Sequence, residues 1–172
     1  MKATAVLRPP LAGRPVDRVE LDYDARFLRR KLLRTRAGAD LLVDLPKVTA
    51  LAHGDALLTD AGPVEVVAAA EPVLIVTGDL PRLAWHIGNR HTPCQIEPFH
   101  LVLRADHVLR AMLQGLGATV TEARQPFIPE GGAYGPAQVM GHSHSHGHSH
   151  GHEHGHGHGH HDAHGHAHPH DG

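Results

Sequence analysis

The sequence predicts an α+β protein with three parts. These are a small all-β domain over residues 1–70, a ferredoxin-like βαββαβ domain over residues 71–140, and a disordered His-rich tail over residues 141–172. Three observations lead there. Up to about Ala70, short apolar stretches alternate with turn residues; from Glu71 the rhythm becomes strand, helix, strand, strand, helix, strand; after Met140 almost every second residue is histidine.

In the first part, Val19-Glu20-Leu21-Asp22-Tyr23 alternates with period two and reads as a strand. Arg36-Ala37-Gly38-Ala39-Asp40 is a turn, and Leu41-Leu42-Val43-Asp44-Leu45 is a strand that stops at Pro46. His53-Gly54-Asp55 and Asp60-Ala61-Gly62-Pro63 are turns around the strands Ala56 to Thr59 and Val64 to Val67. The basic run Arg26 to Arg36 is interleaved with Phe27, Leu28, Leu32 and Leu33, so it reads as a solvated strand face with snorkelling arginines rather than a nucleic-acid stripe.

In the second part, Val73-Leu74-Ile75-Val76 is a buried strand. Asp79 caps a helix with Pro81 in its first turn; Leu80, Leu83, Ala84 and Ile87 form its apolar stripe and Gly88 ends it. Gln95-Ile96-Glu97 and Phe99 to Leu103 are strands around Pro98. Asp106 caps a second helix whose Val108, Leu109, Met112, Leu113 and Leu116 share one face until Gly117, and Ala118 to Ala123 is the last strand. This order is that of a split βαβ unit. A Pro/Gly-rich exit, Pro126 to Pro136, carries Phe127 and Tyr134 as aromatic anchors. Beyond Met140 no apolar residue larger than alanine occurs, so no core can form there and the segment is expected to be disordered without metal.

Composition narrows the function. Two folded units of about 70 residues are marginal alone, which favours a shared interface or a homodimer. The net charge of −2 speaks against a dedicated nucleic-acid binder, although residues 1–36 carry ten Lys or Arg against four acids. Cys94 is the single cysteine, so no intrachain disulfide forms. Arg8 and Pro9-Pro10 interrupt the start before an apolar leader builds up, and the longest strongly apolar run is four residues, Val73 to Val76. A cytoplasmic protein that engages neither membrane nor nucleic acid is expected.

Chemistry concentrates in the histidines. Fifteen of the 20 lie between His142 and His170, beginning with His142, His144, His146, His148, His150, His152 and His154. Imidazole suits nickel, copper, zinc and cobalt, and alternating histidines bring neighbouring rings to one ion; at such sites affinity follows the Irving–Williams order. A purification tag and a pH-responsive solubilising tail are the alternatives; Gly, Ser, Glu153, Asp162 and Ala163 interrupt the run, unlike a designed tag. In the folded part His91 stands just beyond a helix end on the loop Gly88-Asn89-Arg90-His91-Thr92-Pro93, where a ligand is well presented. His107 opens the next helix, whose positive end keeps an imidazole neutral for metal, although capping alone also explains a polar residue there. His53, His86 and His100 read as ordinary surface or packed residues. One protomer offers too few ordered ligands for a coordination shell, so a two-fold axis bringing two copies of His91 to one metal is the economical arrangement.

Enzyme readings do poorly. No serine occurs before Ser143, no H-E-x-x-H or Walker-A pattern is present, and Cys94, three residues after His91, reads as a packing residue. A metal-dependent hydrolase needs an open coordination position and a general base near His91, and no acid is placed for that role.

Several motifs resemble a known family. They are Ala84-Trp85-His86-Ile87-Gly88-Asn89-Arg90-His91-Thr92-Pro93, then Asp106-His107-Val108-Leu109-Arg110-Ala111-Met112-Leu113, and Pro126 to Gly135 with its Pro-Glu-Gly-Gly-Ala-Tyr. Leu41-Leu42-Val43-Asp44-Leu45-Pro46 and Gly54-Asp55-Ala56-Leu57 extend the likeness to the front. Together they resemble the UreE urease accessory family, from about Val16 to the tail. The resemblance implies a nickel metallochaperone that donates Ni2+ during urease assembly. It implies a peptide-binding N-terminal domain similar to those of heat-shock co-chaperones and a dimerising, metal-binding C-terminal domain. It further implies a metal held at the dimer interface by the histidine of Gly-Asn-Arg-His, here His91, and the urease accessory GTPase, in a complex with apo-urease, as recipient. Some relatives carry extra histidines just before the Asp-His pair, where this chain has Arg104 and Ala105. The runner-up function is a histidine-rich nickel or zinc storage protein without a delivery partner.

Overall fold

The structure, a computed structural model, describes residues 1–131. Tyr134 and the tail histidines from His142 onward lie outside the described residues.

Six strands form the first sheet: β1 (Lys2–Leu7), β2 (Asp17–Leu21), β3 (Phe27–Arg34), β4 (Asp40–Ala50), β5 (Ala56–Thr59) and β6 (Gly62–Ala68), in the order β2-β6-β5-β1-β4-β3. Their alternation drives Val19, Leu41, Val43, Leu57, Val64 and Val66 into one core, each at most 1% exposed. Three sequence expectations change here. β1 comes from a stretch read only for its lack of a leader; it pairs parallel with β4 and antiparallel with β5. β4 does not stop at Pro46 but continues to Ala50. The ladder tolerates proline because Pro46 falls inside a register shift, where β3 passes from Leu28↔Thr49 to Arg30↔Asp44 and no backbone donor is needed. Arg26, grouped by sequence with the solvated arginines, is buried at 4% exposure.

The second sheet comprises β7 (Ala70–Thr77), β8 (Gln95–Ile96), β9 (Leu101–Arg104) and β10 (Thr119–Pro126), ordered β10-β7-β9-β8, with helices α1 (Leu80–Gly88) and α2 (His107–Gly115) between strands. The predicted βαββαβ order is realised, with β10 longer than its expected Ala118 to Ala123 because it pairs with β7 over its whole length. Asp79 accepts from the Arg82 N–H and Asp106 from the Leu109 N–H, so both predicted caps form. α1 buries Leu83 and Ile87, and α2 buries Leu113, against Leu74, Val76, Leu101 and Leu103 of the sheet. Burial of each such side chain is worth roughly 1.5–3 kcal/mol. Val108, expected on the apolar face of α2, is instead 63% exposed. At 3.6 residues per turn Val108 lies about 140° around the helix from Leu113, the residue α2 buries, and so falls at the margin of the apolar stripe.

Val73 and Ile75 alternate with Leu74 and Val76, so they point to the helix-free face of this sheet. There Val73 and Val102 meet Phe127, which is fully buried, and Tyr23. Among the described residues no helix is long and apolar enough to cross a membrane.

Candidate metal centre

α1 ends through a tight sequence of backbone hydrogen bonds. The N–H of Asn89 donates to Trp85 O at 3.0 Å, that of Arg90 to Ile87 O at 3.0 Å, and that of His91 to Gly88 O at 2.9 Å. The Arg90 guanidinium turns back and donates through Nη1 to His86 O at 3.0 Å, closing a last carbonyl of the helix. The left-handed residue that usually follows such an end is not Gly88 or Asn89 but His91, with φ 53°. It is the one non-glycine residue with positive φ among those described. An L-residue holds that conformation at a cost of about 1–2 kcal/mol, and such strain collects at functional sites. His91 itself is exposed.

Beyond His91, Cys94 is half-buried, and burial together with the Glu130 carboxylate pushes its thiol up to about 11. Without metal it therefore stays protonated near neutrality. The Cys94 carbonyl accepts from the Glu130 N–H at 2.8 Å, and the Gln95 side-chain oxygen accepts from the Ile128 N–H at 2.8 Å. Neither Gln95 nor Arg90 was singled out by sequence. Arg90 lies inside a motif but its cap needs the helix end to be seen, and Gln95 carries no sequence signal at all.

His107 is exposed at the first turn of α2. It lines an open cavity of about 270 Å³ with Asp106, Arg110 and Glu122, and Arg110 pairs with Glu122 across it. Arg104, just before the Asp106-His107 pair, is committed elsewhere. It donates two hydrogen bonds to Asp24, at 2.8 and 2.7 Å, and its Nε lies 3.5 Å from Glu71. Strand directions bring His91 and His107 to the same end of the second sheet. β7 and β8 start there and β9 and β10 finish there, with α1 running toward that end and α2 away from it. Among the described residues no three potential ligands converge. His53 has a packing role, its Nδ1 accepting from the Ala68 N–H at 3.2 Å, and His86 stacks edge-on against Trp85 at 4.9 Å.

Comparison with known proteins bears directly on this arrangement. The model of the UreE urease accessory protein N-terminal domain matches residues 3–70, and that of the C-terminal domain matches residues 66–156. The urease accessory protein UreE of Rhodobacter capsulatus is 60% identical over 129 residues, covering 74% of this chain and 83% of its own. That of Ruegeria sp. (strain TM1040) is 62% identical over 123 residues, 70% of either chain. That of Ruegeria pomeroyi is 57% identical over 130 residues, 74% of this chain and 87% of the relative.

Proposed function

We propose a nickel-carrying role from one premise: this chain belongs to the UreE family of urease accessory proteins, a family that serves urease and is not itself an enzyme. On this reading it is a cytoplasmic nickel metallochaperone. It binds Ni(II) as cargo and donates it to the urease accessory GTPase within a complex with apo-urease. The observation that carries the proposal is His91, exposed on a strained left-handed turn that Arg90 braces at the end of α1. A single braced imidazole per protomer supports a site shared across a two-fold axis, with two copies of His91 on one ion in a homodimer. The donor set fits the cargo, since imidazole suits nickel, zinc, copper and cobalt. The domain division at residues 70 and 71, with a peptide-binding first half, belongs to the same proposal.

The mechanism is ligand exchange. The tail, with His142, His144, His146, His148, His150, His152 and His154 leading it, gathers ions at weak sites and passes one to His91. His107 adds a donor at the same end of the sheet. Free imidazole protonates near 6.5, so acidification below about pH 6 releases metal from tail and interface alike.

Nickel titration calorimetry with light scattering tests this on the wild-type chain and on His91→Ala. One tight site per dimer, lost in the variant while the weaker sites remain, is the expected result. An undiminished tight site in His91→Ala overturns the proposal. The storage reading then leads, and the absence of any complex with the GTPase would support it.

A further inference from the structure

β10 is the outer strand of the second sheet and, among the described residues, pairs with β7 alone. Proteins commonly blunt such an edge by making it short, bulged or rich in lysine. β10 uses none of these devices. It runs eight residues, Thr119–Pro126, in unbroken register with β7, and contains no lysine. Its outward N–H and C=O groups therefore form a template for a further strand.

The side chains along β10 select that strand. About Ala123 the sequence is a chemical palindrome, in which Glu122 answers Arg124, Thr121 answers Gln125 and Val120 answers Pro126. A second β10 laid antiparallel across a two-fold axis at Ala123 brings each residue opposite its counterpart on the same face of the sheet. Charge then meets opposite charge, hydroxyl meets amide, and apolar meets apolar. Moving the axis by one residue sets either Glu122 or Arg124 against its own copy, so like charges oppose and charge fixes the register. Both charged side chains are accessible. That of Glu122, which pairs with Arg110, is 64% exposed. Arg124 is exposed and donates to the Ala70 carbonyl at 3.2 Å, and no carboxylate among the described residues pairs with it.

We propose that β10 is a self-complementary interaction edge whose partner is the β10 of a second copy of this chain, joining the two sheets into one. Pairing a single strand edge buries less than a standard interface, so the association is weak and depends on concentration. It requires neither nickel nor the imidazole of His91, and it adds to the homodimer proposed above a second, separate contact.

Sedimentation velocity on the full chain in chelator, over a concentration series, tests this with Glu122→Arg, Arg124→Glu and an equimolar mixture of the two variants. The wild type is expected to form a species one association step above that of either variant. Each variant alone sets like charges opposite each other at both symmetry-related positions, and is expected to associate roughly tenfold more weakly. In the mixture every cross-strand pair is again opposite in sign, so the larger species returns. A wild type without that species, a variant that associates as the wild type does, or a mixture no better than its components overturns the proposal. His91→Ala is expected to keep the species; its loss there would assign the association to the His91 interface and overturn the β10 pairing.

Discussion

The left-handed backbone at His91 makes a prediction whose sign reverses with metal. His91→Ala and His91→Gly both remove the imidazole, so their difference isolates the backbone. Alanine at φ 53° retains the penalty of about 1–2 kcal/mol for an L-residue in that region. Glycine escapes it but loses roughly 0.5–1 kcal/mol in chain entropy. The glycine variant is therefore expected to be the more stable by about 0.5–1 kcal/mol, or about 2–4 °C in Tm for a fold of this size. Nickel acts differently. On the proposed reading the weak tail sites bind the folded and unfolded chain alike and do not shift stability. Only a site built by folding does so, by about 2.7 kcal/mol at a hundredfold excess over Kd. Thermal unfolding followed by circular dichroism, at fixed protein concentration, reads both effects. In chelator the glycine variant should melt above the alanine variant; with nickel the wild type should rise and neither variant should. An alanine variant as stable as the glycine one refutes the strain. A nickel shift equal in all three chains refutes His91 as the folded site.

Other perturbations follow from particular contacts. Arg26→Met leaves the Phe127 carbonyl without its buried donor and removes a favourable charge near Glu71, and is expected to cost about 1–3 kcal/mol in urea unfolding; an unchanged stability would show that this buried hydrogen bond contributes nothing. Asp106→Ala removes the α2 cap and should cost about 1 kcal/mol while leaving the tight nickel affinity unchanged in calorimetry. Cys94, with its thiol at about 11, is roughly one-thousandth ionised at pH 8. Iodoacetamide should leave it unmodified in the native protein, and rapid alkylation would show the burial to be wrong. Burial raises the Asp55 carboxyl against the opposing pull of the Ala52 N–H and Arg8. Folding thus favours its protonated form more than the unfolded chain does; that contribution is complete below the ordinary 3.8 and fades as pH rises through the folded value. Asp55→Asn should flatten that part of the stability profile, and an unchanged pH slope above 3.8 would refute the assignment.

The second sheet was legible in the sequence because its signals are local. Caps at Asp79 and Asp106 lie three residues before the N–H groups they accept from, and the stripe Leu83, Ile87 has a period that only a helix explains. The first sheet was legible only as a set of strands. β1 lies parallel to β4, some forty residues on, and no short-range pattern encodes such a pairing. Pro46 misled because proline is read as a strand terminator, whereas a register shift removes the need for its missing donor. Val108 misled because it stands at the margin of the stripe, about 140° around the helix from buried Leu113.

Arg26 and His91 mark where sequence reading stops for the site itself. They sit in the basic run and the Gly-Asn-Arg-His loop, yet their surroundings are set by partners far away or by a backbone angle. Arg26 is buried because a carbonyl 101 residues later points at it, with Glu71 and the Tyr23 ring adding charge and π contacts. Nothing in the run Arg26 to Arg36 distinguishes that arginine from its solvated neighbours. Gly88 ends α1 as expected, but the left-handed angle falls three residues later, on His91. The consequence bears on release. A donor on an unstrained loop with three partners from its own chain would resemble a closed structural site, which holds metal tightly. In the proposed homodimer, one imidazole per protomer on a strained turn makes a site completed by the second copy, from which an incoming ligand would displace the ion stepwise. On the proposed reading, that is the property a carrier needs and a storage protein does not.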